Sequence, residues 1–188
     1  MRQGFALDAL PWQAWKNGAG RTREIAAEPP GAGFDDFGWR ISVAEVAHDA
    51  PFSAFPGVAR CIVLLSGAGL RLRSDDGRLD HTLDRALEPF RFEGEQALRA
   101  TLVNGACSDF NVMTRRGVWR SELRCLEGPA RLPGADALLV LALAGAPAVD
   151  GVRLAPGTGC VWRGPCDALS IAAGGTLIAV RLLRESAP

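Results

Sequence analysis

Short runs of alternating or wholly apolar residues, broken at intervals of about eight to twelve positions by glycine or proline, dominate this chain. No segment sustains the i, i+3, i+4 spacing of an amphipathic helix for a dozen residues, whereas a period of two places successive side chains on opposite faces of a strand. The pattern predicts strands at Trp39–Val46, Arg60–Ser66, Gly69–Arg73, Phe90–Phe92 and Asp109–Thr114. After Arg115-Arg116-Gly117 it resumes at Val118–Cys125, Ala137–Leu143, Val152–Leu154, Cys160–Trp162, Leu169–Ala172 and Leu177–Leu183. The expected fold class is all-β, with two units at residues 1–116 and 117–188. Short strands at this spacing build sandwiches and jelly rolls rather than parallel sheets with crossover helices, so a bicupin of two double-stranded β-helix barrels is the expected architecture.

Composition narrows the function classes. The chain has 188 residues, 48% hydrophobic and 22% charged, which suits packed domains rather than disorder. Its 21 basic and 21 acidic side chains cancel. No overall field draws it to nucleic acid or to an anionic membrane, and neither partner is expected. The first residues carry Asp8 inside their apolar stretch and form neither a signal peptide nor an anchor, so a cytoplasmic location is expected. Five scattered cysteines without close pairs read as buried thiols.

Polarity is unevenly spread. Residues 118–188 hold long apolar runs and read as mainly structural, with an apolar stripe that leaves room for a homodimer. Residues 12–116 set polar side chains among aromatic and glycine neighbours, the texture of a ligand pocket. Lys16 is the only lysine beside twenty arginines, and a lysine offers a compact point charge that no arginine reproduces. In Trp39–Val46 the period of two gathers Arg40, Ser42 and Ala44 on one face; if that face lines a barrel, Arg40 needs a carboxylate partner from the protein or a ligand. Arg60 stands at a strand entrance after the turn Phe55-Pro56-Gly57. Two arginines with Asn17 and Asn111 would hold a dicarboxylate and discriminate against neutral analogues, because guanidinium grips carboxylate bidentately.

Other chemistries are excluded. Two histidines, His48 and His81, far apart in sequence, do not supply the clustered nitrogens of a cupin metal centre, so no metal or cofactor is expected. The segment Trp15–Ala26 (WKNGAGRTREIA) lacks the Lys-Ser/Thr ending of a phosphate loop, and Ser53 does not sit in a nucleophile elbow.

Four stretches together carry a resemblance: Trp15–Ala26, Trp39–Val46 (WRISVAEV), Pro51–Arg60 (PFSAFPGVAR) and Asp109–Arg116 (DFNVMTRR). In this order they resemble the HutD/Ves family, bicupin-like proteins associated with bacterial histidine utilisation. One departure is Ala19, where the family's pattern has a third glycine. The resemblance implies a metal-free two-barrel protein that modulates histidine breakdown by binding a small anionic metabolite. The pathway's carboxylates are urocanate, formiminoglutamate and formylglutamate, with formylglutamate the preferred ligand. Carried over position by position, it gives Lys16, Asn17, Arg23, Glu24, Arg40, Ser53, Arg60 and Asn111 as ligand-binding residues. Arg40 and Arg60 would meet carboxylates, Asn17 and Asn111 the amide or formyl group, and Glu24 would orient Lys16 or an arginine. Two alternatives stay open: a cofactor-independent enzyme with Lys16 and Glu24 as an acid/base pair, and a pure interaction module.

Overall fold

The computed structural model describes residues 1–185. Apart from one 3-10 turn at Leu7–Ala9, its regular elements are strands. In chain order they are β1 (Arg2–Ala6), β2 (Gln13–Ala14), β3 (Gly20–Glu28), β4 (Trp39–Val46), β5 (Ala50–Phe52), β6 (Val58–Ser66), β7 (Leu70–Ser74), β8 (Asp80–Leu83), β9 (Pro89–Glu93), β10 (Leu98–Leu102) and β11 (Cys107–Arg115). They continue with β12 (Trp119–Leu126), β13 (Ala130–Leu132), β14 (Ala135–Gly145), β15 (Ala148–Val149), β16 (Val152–Arg153), β17 (Thr158–Cys166), β18 (Leu169–Ala172) and β19 (Gly175–Arg184).

Every strand expected from the apolar pattern is present, with ends that differ from the expected ones by up to four residues. The pattern missed those whose residues are polar or few: β3 reads GRTREIAAE, and β2, β5 and β15 are two or three residues long. Ladder hydrogen bonds, rather than apolar content, make β3 a strand, since its backbone pairs with β4 along most of its length.

Two compact units result, one of residues 11–116 and one that joins residues 1–10 to the chain from Gly117 onward. The first ten residues, expected in the N-terminal unit, therefore belong to the C-terminal one. The reason is β1, whose Arg2–Ala6 pairs antiparallel with Thr158–Trp162 of β17. Each unit is a two-sheet sandwich. The N-terminal unit has a six-stranded sheet ordered β2-β3-β4-β11-β6-β9 and a four-stranded sheet β5-β10-β7-β8. The C-terminal unit has sheets ordered β1-β17-β14-β19-β12 and β13-β18-β15-β16.

Their interiors differ. The C-terminal unit is filled by Leu126, Leu132, Leu138, Val140, Leu154, Leu169, Ile171 and Leu177, all at most 9% exposed. Of the apolar run Ala137–Ala142, the alternate residues Leu138, Val140 and Ala142 belong to this cluster. In the N-terminal unit, Val46, Ile62, Leu64, Leu70, Leu72 and Leu98 fill one part of the interior only. Along β4, β6 and β11 the inward-facing residues change character, and the change sets the site. No helix among the described residues is long and apolar enough to cross a membrane.

Candidate functional site

Register fixes which side chains meet. Across β4, β11 and β6, Arg40 lies opposite Met113 and Met113 opposite Arg60; Ser42 lies opposite Asn111 and Asn111 opposite Ile62; Ala44 lies opposite Asp109 and Asp109 opposite Leu64. One step further, Val46 faces Cys107 inside the apolar cluster. The same sheet face thus grades from hydrocarbon at the Val46 end to two arginines at the other. A cavity of about 400 Å³ occupies the polar end. The loop before β3 contributes Trp15, Lys16 and Asn17 to its lining, the β5 region contributes Phe52, Ser53 and Phe55, and Phe34 also lines it. Partly aromatic walls around a few convergent polar groups are the usual build of a small-molecule site.

Of the eight residues expected, six line this cavity: Lys16, Asn17, Arg40, Ser53, Arg60 and Asn111. Arg23 and Glu24 do not. On β3, Thr22 pairs with Ala44 and Glu24 with Ser42, so these two share the inward face while Arg23 points the opposite way, its guanidinium 3.7 Å from the Trp12 ring centre. Glu24 acts through Arg40, which it approaches at 3.3 Å. Of the two partners expected for Glu24, Lys16 or an arginine, the arginine Arg40 engages it, while Lys16 is exposed at the cavity, so the acid/base pair of the alternative reading is not formed.

Arg40 is 5% exposed, with its guanidinium 4.2 Å from the centre of the Phe34 ring. Burial lowers its pKa, and Glu24 opposes the shift. Arg60, 6% exposed, is enclosed by Phe52, Phe55 and Phe92 with ring centres 4.7, 5.6 and 5.0 Å away. Its Nη1 donates to the Ser53 carbonyl at 3.4 Å, so Ser53 meets arginine through its backbone. The Arg60 Nε is buried without an acceptor. Desolvation brings the Arg60 pKa down to about 10 against the raising effect of Asp109. It remains a cation at neutral pH.

Asp109 is the residue the sequence did not single out. It is 1% exposed and lines the cavity, and neither carboxylate oxygen has a hydrogen-bond partner. Burial pushes its pKa up to about 7, with Arg60 pulling the other way. The signal was in the alternation of β11, which puts Asp109, Asn111 and Met113 on one face, and an aspartate facing inward beside Phe110 is rare enough to notice. The Asn111 Oδ1 is likewise buried without a donor.

The loop entering β3 is held by three local devices. The Asn17 Oδ1 accepts from the Ala19 N–H at 3.1 Å, Gly18 takes a φ of 70°, and the Trp15 Nε1 donates to the Thr22 hydroxyl at 2.7 Å. At Gly20 a Cβ would stand 2.3 Å from the Glu45 carbonyl oxygen, so a side chain there would push strands apart. Ala19 is buried with a backbone that needs no positive φ, and the missing glycine leaves no strain.

Neither histidine lines the cavity; His81 stacks on Phe90 with ring centres 3.7 Å apart. Among the described residues no three His, Cys, Asp or Glu side chains gather to hold a metal ion. Cys61, Cys107 and Cys160 are buried thiols as expected, while Cys125 and Cys166 are partly exposed.

Comparison with known proteins follows the same lines. A sequence model of the HutD family matches residues 8–179. Over 121 residues the chain is 43% identical to Protein Ves of Escherichia fergusonii, an alignment covering 64% of this chain and 61%, less than two thirds, of that one. Protein Ves of Cronobacter sakazakii is 38% identical over 160 residues, 85% of this chain and 86% of the relative. The structure of HutD from Pseudomonas fluorescens SBW25 superposes with a TM-score of 0.87 at 28% identity, covering 99% of this chain and 100% of that one. At 8% identity, oxalate decarboxylase from Lactobacillus farciminis still superposes at 0.64 over 97% of this chain and 86% of that one, a likeness of the two-barrel cupin fold alone.

Proposed function

This chain belongs to the HutD family, and from that premise we propose that it tunes histidine utilisation in the cytoplasm by binding a small carboxylate metabolite, N-formylglutamate first among them, without turning it over. One observation carries the reading. Arg40 and Arg60 flank Met113 on neighbouring strands of one sheet face, both nearly buried and both lining the same cavity.

Strands lie ~4.8 Å apart, so the two arginine backbones are roughly 10 Å apart. Their side chains can converge on the two ends of a five-carbon dicarboxylate. A guanidinium inside a low-dielectric pocket binds carboxylate more strongly than one in water. Arg60 also keeps a buried Nε donor unspent. Lys16, at the cavity's exposed lining, supports capture of an anion, and the Asn17 amide nitrogen is left for a formyl oxygen because its carbonyl is used in the turn.

The test is a thermal shift of the purified protein against urocanate, N-formimino-glutamate, N-formylglutamate and unrelated dicarboxylates. A ligand at a hundred times its Kd adds about 2.7 kcal/mol to native stability. The expected result is a rise in Tm selective for the histidine-pathway compounds and absent in Arg60→Ala. A flat response to all of them in the wild type would overturn the proposal.

A further inference from the structure

The floor of the cavity offers acceptors as well as cations. Asp109 and Asn111 are alternate residues of β11, about 6.6 Å apart along the strand, and both face the cavity. Neither oxygen of Asp109 has a hydrogen-bond donor, nor has the Asn111 Oδ1. Above about pH 7 the Asp109 carboxyl is ionised and acceptor-only, and leaving it buried and unsatisfied carries a desolvation cost that a suitable ligand donor would relieve. The protein supplies no such donor. Arg60 is coupled to Asp109 through charge, but its Nη1 is turned to the Ser53 carbonyl.

A bare dicarboxylate would satisfy the arginines and leave this floor worse off. It brings four more acceptor oxygens and further negative charge beside Asp109. A ligand with an N–H next to its carboxylate brings the same charge to the arginines and also the donor that the floor lacks.

Resting on the reading of the cavity as a carboxylate site, we propose that Asp109 is a specificity-determining residue that accepts an N–H from the ligand. The site then takes carboxylates whose α-carbon carries an N–H, as in N-acylated amino acids, in preference to nitrogen-free dicarboxylates. Ala44, directly opposite Asp109 on β4, leaves room for the approach. A site built to hydrogen-bond a group rejects analogues lacking it, because its own buried polar atom is left unpaired.

The experiment is titration calorimetry at about pH 8, where Asp109 is ionised, with three probes, N-formyl-L-glutamate, N-formyl-N-methyl-L-glutamate and glutarate, on the wild type and on Asp109→Leu. The wild type is expected to bind the first roughly tenfold or more tightly than the other two, the worth of one charge-assisted hydrogen bond. Asp109→Leu should bind all three within a small factor of one another. Discrimination retained in Asp109→Leu overturns the inference, as does equal binding of all three by the wild type; in either case the carboxylate reading stands. Binding of none of them by the wild type overturns both. If Asp109→Leu fails to fold, the wild-type comparison of the N–H and N-methyl compounds decides alone.

Discussion

The two units solve one packing problem in opposite ways. In the C-terminal unit the facing residues of β14 and β19, such as Leu138, Val140, Leu177 and Ala179, close the interior with hydrocarbon. In the N-terminal unit β4, β6 and β11 begin the same way but give Arg40, Ser42, Arg60, Asp109 and Asn111 the inward positions. Among the described residues, every buried polar or charged side chain belongs to that unit. A sandwich scaffold does not need them. Buried charges lower stability unless paired, so their concentration around one cavity is a cost that the packing of the unit does not require, and the proposed binding role accounts for it.

Exchanging the two solutions should have the largest effect. Leu138 is fully buried in the closed interior, so Leu138→Ala is expected to cost about 3 kcal/mol and Leu138→Asp on the order of 5, since no cavity or arginine receives the new charge. Urea denaturation followed by circular dichroism measures both. A Leu138→Asp protein as stable as wild type would remove the distinction between the interiors.

Next in size is the response to pH. Asp109 titrates at about 7 in the folded protein, against about 3.9 in an unfolded chain. Between those values the folded state holds a proton that the unfolded state has released. This contribution to stability is therefore full below about pH 4 and is lost as pH rises through 7, by up to about 4 kcal/mol. Asp109→Asn should flatten that slope. Denaturation midpoints at pH 5 and pH 8 for both proteins supply the measurement, and an equally steep fall in the variant would assign the slope to another group.

The arginines give a smaller and more selective effect. Arg40→Met keeps the apolar stem over Phe34 and removes the charge from the cavity. Carboxylate affinity should drop about tenfold, the worth of one charge-assisted contact, while Tm falls modestly, because Glu24 loses its partner but is partly exposed and can be hydrated. Smallest is Thr22→Val, which takes the acceptor from the Trp15 indole and should cost about 1 kcal/mol with a modest loss of affinity through the loosened loop.

Much of this was legible in the chain. Alternation placed Arg40, Ser42 and Ala44 on one face, and the register of β4 against β11 puts that face on the cavity. Arg60, at the start of the expected strand, needed only the same rule. What escaped had physical causes. β3 lacks the apolar run that advertises a strand, so Arg23 and Glu24 could not be assigned faces, and one of them turns outward to Trp12. Asp109 was hidden because an aspartate in a strand usually faces water. Only the pairing of β11 with both β4 and β6 makes its position interior. The membership of β1 in the C-terminal unit depends on a partner more than 150 positions away, and no local pattern encodes that.

That distant pairing also has a timetable. Residues 11–116 form their unit without drawing on β1, so the cavity can be complete while Arg2–Ala6 still waits for β17 to be made. At ribosomal speeds the wait is on the order of ten seconds. Throughout it, a five-residue segment with open backbone hydrogen bonds is unclaimed, and a chaperone or a second nascent chain could bind it before its own partner emerges.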